Sequence, residues 1–381
     1  MPDSQFLTQA LVLAREAIGL SDPNPRVGCV LVSPQGGVIG LGHTQQAGGP
    51  HAEVMALRDA QARGLPTQGA TAYVTLEPCA HHGRTPPCAD ALVAAKLGRV
   101  VVALLDPNPM VAGEGVARLR AAGIVVDVLP PDHPQAMQAR EINLGFLSRM
   151  VRQRPWVRLK VAASLDGRTA LDNGQSQWIT GPAARADGHA WRARAGAVLT
   201  GIGTVLDDDP RLDVRLASTE TPTPRQPMRV VLDSQWRTPP LARLLALPGQ
   251  VLIYGLAPAQ DDEAGRRRQQ VLRVASGVEL VEAPGVDHVD LGHVMTDLAR
   301  RGINELHVEA GARLNAALIQ GQWVDEVLLY LAPKLIGPGR GLAALSPLGQ
   351  LSDAWQLSFR ETTIVGDDLR VMARPPGREL F

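Results

Sequence analysis

The chain has 381 residues, 45% apolar and only 3% aromatic, and its 38 basic side chains balance 38 acidic ones. That length exceeds what one hydrophobic core supports, so two domains are expected, packed mainly from Leu, Val, Ala and Ile. The neutral total argues against nucleic acid as a main partner, no apolar run reaches bilayer length, and three cysteines cannot build a disulfide scaffold. The opening MPDSQFLTQALVLAREA has an acid and no basic region ahead of its apolar stretch, unlike a signal peptide. A reducing, cytoplasmic location is therefore expected.

Phe6, Ala10, Leu13, Ala14 and Ala17 recur at helical spacing and predict a first helix over residues 6–18. SDPNPRVG breaks it; VGCVLV and GGVIGLG then read as a hairpin, with Cys29 a buried thiol. Pro50 suits the start of a helix through HAEVMALRDA, and ATAYVTLEP reads as a strand ending at Pro78. PCADALVAAKLG is the next helix, followed by the strand RVVVALL, the helix GEGVARLRAAG and the strand IVVDVLP. This alternation predicts a three-layer α/β sandwich.

Within it, His51, Cys79 and Cys88 supply three ligands for one Zn2+, leaving a fourth position for water. His51 and Glu53 share the first turn of one helix, and Cys88 opens another. Exposed amides and the positive helix end favour thiolate there. Glu53 is the proton carrier: it takes a proton from water and passes it to a ring nitrogen and the departing amine. HAE followed by PC and a further Cys is the pattern of a hydrolytic zinc deaminase. The competing reading is a structural zinc whose fourth ligand is Cys29, His81 or His82.

PNPRVGCV, GGPHAEVMAL and VTLEPCAHHGRTPPC together resemble the bacterial bifunctional riboflavin-biosynthesis deaminase–reductases. The eight residues between Cys79 and Cys88 are characteristic of that family; general nucleoside deaminases usually have two. The resemblance implies a cytidine-deaminase-like fold and a phosphorylated substrate, 2,5-diamino-6-(5-phosphoribosylamino)-pyrimidin-4-one, deaminated at C2. It also implies substrate contacts at Asn24 and His82, with Gly83 and Arg84 shaping the pocket mouth. Asn24 alternatively serves only the turn, and His82 only loop packing. Relatives often place an aromatic residue and then His before the next AG. Here His43 and Thr44 stand there, so that contact transfers to neither.

LPPDHPQAMQAREINLGFLSRMVRQRP holds a Pro-rich break and a helix, in which Glu141, Asn143 and Phe146 resemble the family's last deaminase helix. This places the domains at residues 1–150 and 151–381. Residues 156–161 are strand-like, SLDG is a turn, a helix spans residues 182–195, and AVLT is a short strand followed by a glycine turn at GIGTVL. MRVVLD, QVLIYG, ELVEA, ELHVEAG and EVLLYLAPKLIG are strands; GHVMTDLARRG and NAALIQGQW are helices. A mainly parallel sheet with an irregular far edge follows. RLASTETPTPRQP is expected to be a mobile surface insertion.

No GxGxxG fingerprint follows a strand in this half, so its composition leaves the activity open. KVAASLDGR, SQWIT, GIGTVLDDDPRLDVR and the VEAG–YLAPKLIG region resemble the riboflavin reductase, whose α/β fold is similar to dihydrofolate reductase. The resemblance implies NADPH-dependent reduction of the ribosyl chain to ribityl, with assembly into homo-oligomers through this domain. Ser176, Arg192, Leu212, Arg215 and Glu309 match substrate contacts, the two arginines suiting a phosphate. Ala162, Trp178, Thr204, Asp208 and Ser234 match cofactor contacts, as does a nucleotide-binding loop of Gly311, Ala312, Arg313 and Leu314. Arg192 alternatively lies on a solvated helix face, Asp208 in an acidic cap, and Lys160 contacts phosphate or pairs with an acid. Relatives commonly read EGG where this chain has Glu309, Ala310 and Gly311. The extra methyl weakens cofactor binding only where that position needs a left-handed backbone or close pyrophosphate approach, and accommodation is expected. Two other readings are a nucleic-acid or free-nucleoside deaminase and a metal-stabilised nucleotide-binding regulator.

Overall fold

The structure, a computed structural model, describes residues 2–81, 86–108, 112–216 and 225–381. The expectations for His82, Gly83 and Arg84, and for residues 217–224 of the surface insertion, lie outside the described residues. The chain divides into two compact units, residues 1–153 with Phe381, and residues 154–380.

In chain order the first unit comprises α1 (Pro2–Glu16), β1 (Gly28–Val32), β2 (Val38–His43), α2 (Ala52–Ala62), β3 (Thr71–Val74) and α3 (Cys88–Ala94). It continues through β4 (Arg99–Val102), α4 (Glu114–Ala121), β5 (Val125–Val128), α5 (Pro134–Ile142) and α6 (Leu144–Arg152). The five strands form one sheet in the order β2-β1-β3-β4-β5, antiparallel as far as β3 and parallel beyond it. Strand periodicity divides the apolar residues between two faces. Cys29, Leu31, Ala72, Val74, Val100 and Val102 pack under Ala56, Leu92 and Leu119 of α2, α3 and α4. Val30, Val32, Tyr73 and Val101 pack instead against Leu7, Leu11, Ala139 and Ile142 of α1 and α5. This is the expected three-layer sandwich.

Two glycines let helices come close enough to build the site. A Cβ on Gly42 of β2 would lie 2.2 Å from the Ala52 carbonyl oxygen, and one on Gly115 of α4 would lie 1.9 Å from that of Pro78. No side chain larger than hydrogen fits either place. The strand expected to reach Pro78 ends at Val74. Beyond it Thr75 N still donates to Gly28 O and Glu77 N to Leu104 O, but residues 75–79 leave the regular ladder and turn toward α3.

The second unit begins with β6 (Trp156–Ser164), β7 (Arg168–Leu171), α7 (Pro182–Ala193), β8 (Ala197–Gly201), α8 (Ile202–Asp208), β9 (Met228–Leu232) and β10 (Val251–Gly255). It continues through α9 (Glu263–Arg273), β11 (Val278–Glu282), α10 (Leu291–Arg300), β12 (Glu305–Val308), α11 (Ala312–Gln320) and β13 (Glu326–Ala332). It closes with β14 (Gly339–Gly341), β15 (Ser358–Val365) and β16 (Asp368–Arg374). Nine strands run in the order β11-β10-β9-β8-β12-β6-β13-β16-β15, parallel up to β13 and antiparallel after it. The irregular far edge is thus a C-terminal hairpin, while β7 and β14 pair separately.

One face packs on α10 and α11 through Leu159, Leu199, Leu306, Leu298 and Leu318. The other packs on α8 and α9 through Val198, Val231, Ile253, Val205 and Leu272. The glycine turn expected at GIGTVL is instead the N-terminus of α8, with Gly201 as an extended N-cap at φ −102°. Gly201 serves packing: a Cβ there would crowd Leu314 Cδ2 at 3.2 Å. Among the described residues, no helix is long and apolar enough to cross a membrane.

Candidate active sites

In the first unit, α2 and α3 start close together and bring the expected ligands into one group. His51 is the N-cap of α2, and Cys88 is the first residue of α3. The donor atoms of His51, Cys79 and Cys88 all lie within 4.8 Å of one another. His51 Nδ1 is 3.3 Å from Cys88 Sγ and 3.6 Å from Cys79 Sγ. Tetrahedral zinc with ordinary Zn–S and Zn–N lengths would set those atoms about 3.6 Å apart, so the donor set fits that ion. Among the described residues the group has these three members; Cys29 belongs to the apolar core under α2.

The local electrostatics favour a cation. Cys88 N donates to Cys79 Sγ at 3.3 Å. Cys79 is pushed down to about 4 by its hydrogen bond with Cys88, against burial and with help from His51. Cys88 is pushed up by Cys79 and then by burial. The hydrogen bond to Cys79 raises His51 as well. Glu53, only 3% exposed in the first turn of α2, is pushed up to about 7 by burial and then by Cys79. A carboxyl group balanced there can accept and return a proton near neutral pH.

Asn24 lies in a turn closed by its own N–H to Ser21 O and by Ser21 Oγ to Asn24 O. The turn uses the backbone of Asn24 and leaves its side-chain amide out. Asn143, at the junction of α5 and α6, holds this segment. Its Oδ1 accepts Arg26 N at 2.8 Å, and its Nδ2 donates to Arg26 O at 3.0 Å. Arg149 of α6 donates to Pro23 O at 2.9 Å. Of the two residues at the departure from the family pattern, His43 pairs with Glu16 at 3.3 Å. Thr44 is buried, its Oγ1 accepting Val27 N at 3.2 Å.

In the second unit, β9, β8, β12 and β6 are neighbours and parallel, so their carboxyl ends open on one side. Ser234 follows β9, Thr204 stands in α8 after β8, Glu309 follows β12, and Ala162 is near the end of β6. Crevices at such ends are where open α/β sheets hold ligands. A Cβ on Gly311 would lie 3.8 Å from Thr204 Oγ1, so these two segments adjoin. The stretch expected as a loop over residues 311–314 is the start of α11. Gly311 is its N-cap, without a side-chain cap. Ala310 is absent from the positive-φ residues and packs against the α10–α11 core, so its methyl group brings no left-handed strain.

The Asp208 carboxyl is pushed up by partial burial and then by Asp207, with the nearby Ser176 opposing. The acidic cap is Asp209 instead, the C-cap of α8, whose Oδ1 accepts Arg243 N at 2.8 Å. Trp178 is 64% exposed, with the Arg185 guanidinium 4.6 Å above its ring. Ser234 Oγ accepts Val289 N at 3.2 Å. Leu212 is 3% exposed and packed in the α8–α9 core, which leaves its backbone for any ligand.

Arg192 does not lie on a solvated face: it pairs with Glu309 at 2.7 Å and donates to Asp213 O. Burial alone would raise the Glu309 carboxyl, but Arg192, His307 and Lys160 hold it well below the usual carboxylate range. Lys160 Nζ also lies 6.0 Å from the Tyr330 ring centroid. Arg215 is half-exposed and pairs with Asp213, and its backbone N donates to His189 Nδ1 at 3.3 Å.

Several positioning roles in these sites escape sequence reasoning, even where, as at Asn143, the residue itself carries a family resemblance. Glu77, Asn143 and His189 act on backbone atoms distant in sequence, and residue type alone carries no signal for that.

The comparisons with known proteins agree with this geometry. Residues 1–104 match the cytidine and deoxycytidylate deaminase zinc-binding region, and residues 155–371 match the RibD C-terminal domain. The chain is 46% identical over 379 residues to riboflavin biosynthesis protein RibD of Escherichia coli (strain K12), covering 97% of this chain and 98% of that one. It is 43% identical to RibD of Haemophilus influenzae, covering 98% of each. Among solved structures, Acinetobacter baumannii RibD is 41% identical with a TM-score of 0.86, covering 98% of this chain and 99% of that one. A Thermotoga maritima structure described as a diaminohydroxyphosphoribosylaminopyrimidine deaminase/5-amino-6-(5-phosphoribosylamino)uracil reductase is 30% identical with a TM-score of 0.84, at the same coverage. With a three-donor metal group in one unit and a RibD reductase-type sheet in the other, the chain belongs to the RibD family of bifunctional deaminase–reductases acting on riboflavin-pathway intermediates.

Proposed function

We propose that residues 1–150 deaminate 2,5-diamino-6-(5-phosphoribosylamino)-pyrimidin-4-one at C2, and that residues 151–381 reduce the ribosyl chain of the resulting uracil with NADPH. The product is 5-amino-6-(5-phosphoribitylamino)uracil. The observation that carries this reading is the buried Glu53 two residues from His51, beside a three-donor group that leaves a tetrahedral position for water.

His51, Cys79 and Cys88 would hold zinc, which when bound supplies the Lewis acidity that activates water. Glu53 takes a proton from that water and delivers it to the leaving amine. Burial and the first turn of α2 fix its position. Asn24 offers a donor and an acceptor to the ring or ribose, and His82 adds a substrate contact.

In the reductase, Ala162, Trp178, Thr204, Asp208 and Ser234 hold NADPH, which when bound supplies the hydride. Gly311, Ala312, Arg313 and Leu314 present the first amides of α11 to its phosphate groups. Ser176, Arg192, Leu212, Arg215 and Glu309 hold the substrate, with Arg192 and Arg215 at its phosphate. Arg192 foremost, then His307 and Lys160, keep Glu309 ionised.

Homo-oligomerisation through the reductase unit belongs to the same reading. The outer strand β15, with Phe359 and Ile364 exposed, supports it as an unpaired edge. Thiolate ligands also suit a reducing cytoplasm. An assay with the phosphorylated diaminopyrimidinone, following ammonia release and NADPH oxidation separately, tests the whole reading. Both signals are expected, the second dependent on the first; NADPH oxidation without ammonia release, or neither, overturns it.

A further inference from the structure

The segment that carries Arg215 is held to α7 by two successive rungs. Leu212 and Val214 are buried and anchor it from below; Asp213 between them is buried as well, and Arg215 follows at the surface. Arg192 grips the Asp213 carbonyl, and His189 accepts the Arg215 amide through Nδ1 at 3.3 Å. His189 and Arg192 are three apart on α7, which puts both rungs on one helix face. The Arg215 guanidinium remains 51% exposed beyond them, against the Asp213 carboxylate that Arg211 also bonds.

We propose that His189 is a positioning residue for phosphate recognition: by accepting the Arg215 backbone amide it fixes where that guanidinium stands. The proposal rests on the reading of Arg192 and Arg215 as the phosphate subsite. An acceptor at Nδ1 requires a neutral ring with its proton on Nε2. The surroundings enforce that state. Burial, then Arg192 and Arg215, push His189 down to about 4, against the opposing charges of Glu309 and Asp213. A cationic ring would set N–H against N–H and break this rung, leaving the segment held by Arg192 at Asp213 and by Gln226, whose amide pairs with Val214 N and O. With one rung lost, Arg215 samples more positions and binds a phosphate less well, at a cost typical of a single hydrogen bond.

The test is steady-state reduction by the full-length enzyme, using the phosphorylated aminouracil riboside and its dephosphorylated form. His189→Ala is expected to raise KM for the phosphorylated substrate about fivefold, the scale of one hydrogen bond. Its kcat and its KM for the dephosphorylated substrate should stay at wild-type values. His189→Asn, whose Oδ1 replaces Nδ1 as acceptor, should restore KM; His189→Gln, which imitates Nε2, should not. Equal KM increases for both substrates, or a His189→Asn variant as impaired as His189→Ala, overturn the proposal. NADPH affinity and ammonia release check that each variant is folded. Arg215→Ala is run in parallel. Where it fails to separate the two substrates, the phosphate-subsite reading itself falls; where it separates them and His189→Ala does not, only the role of His189 falls.

Discussion

Glu77 Oε1 accepts the amide of Val116 at 3.0 Å, fastening the first turn of α4 to the chain two residues before Cys79. Its other oxygen accepts Gly113 N at 3.0 Å and Asp106 N at 3.2 Å. One buried carboxylate therefore gathers three amides behind a metal ligand. Glu77→Ala leaves the Asp106 and Val116 donors buried without this acceptor, at roughly 1–3 kcal/mol each where nothing relaxes, while the half-buried Gly113 N loses less. The expected outcome is a lower Tm and a weakened zinc affinity, with NADPH-dependent reduction retained. Metal titration beside thermal melting checks it; wild-type zinc affinity would show that Glu77 does not position Cys79.

Asn143 makes the second such link, to the segment that carries Asn24. Its amide spans both polar groups of Arg26 and also donates to Ala139 O at 3.1 Å. Asn143→Ala removes the clamp without touching the metal group. Deaminase KM should rise several-fold more than kcat falls, at a stability cost of about 2 kcal/mol. A fall in kcat with unchanged KM would mean that the clamp serves the chemistry rather than substrate binding.

Acid should act on the reductase unit through buried imidazoles. His307 is fully buried beside Glu309, and burial pushes its ring below the ordinary value of 6.5, with Glu309 opposing. The unfolded chain binds a proton near 6.5 while the folded chain resists it. Stability is thus fully present above that pH and is lost as pH falls through the depressed folded value. Imidazole NMR should show His307 titrating below 6.5, and the melting midpoint should fall with acidification. A His307 signal titrating at or above 6.5 would contradict this.

The metal group was legible in sequence because zinc chemistry admits few residue types: His51, Glu53, Cys79 and Cys88 stand in a pattern that little else explains. The β1–β2 hairpin and the layered sandwich of the first unit were legible too, from its alternation of strands and helices. The start of α8 was not legible, since Gly-Ile-Gly reads as a turn until the nearby Leu314 explains Gly201. Helix α9 buries only Leu272 among its large apolar residues, and β15 is exposed on nearly all of its length, so neither offers a periodic signal. The backbone contacts of Glu77, Asn143 and His189 were hidden for another reason. Each is defined by backbone groups it meets only after folding.

The account stands most directly on Glu53. With the phosphorylated diaminopyrimidinone as substrate, Glu53→Gln should bind zinc as the wild type does and release ammonia at least about a hundredfold more slowly. NADPH oxidation on the preformed deaminated substrate should be unchanged. Ammonia release at the wild-type rate by a fully metallated Glu53→Gln enzyme would contradict it.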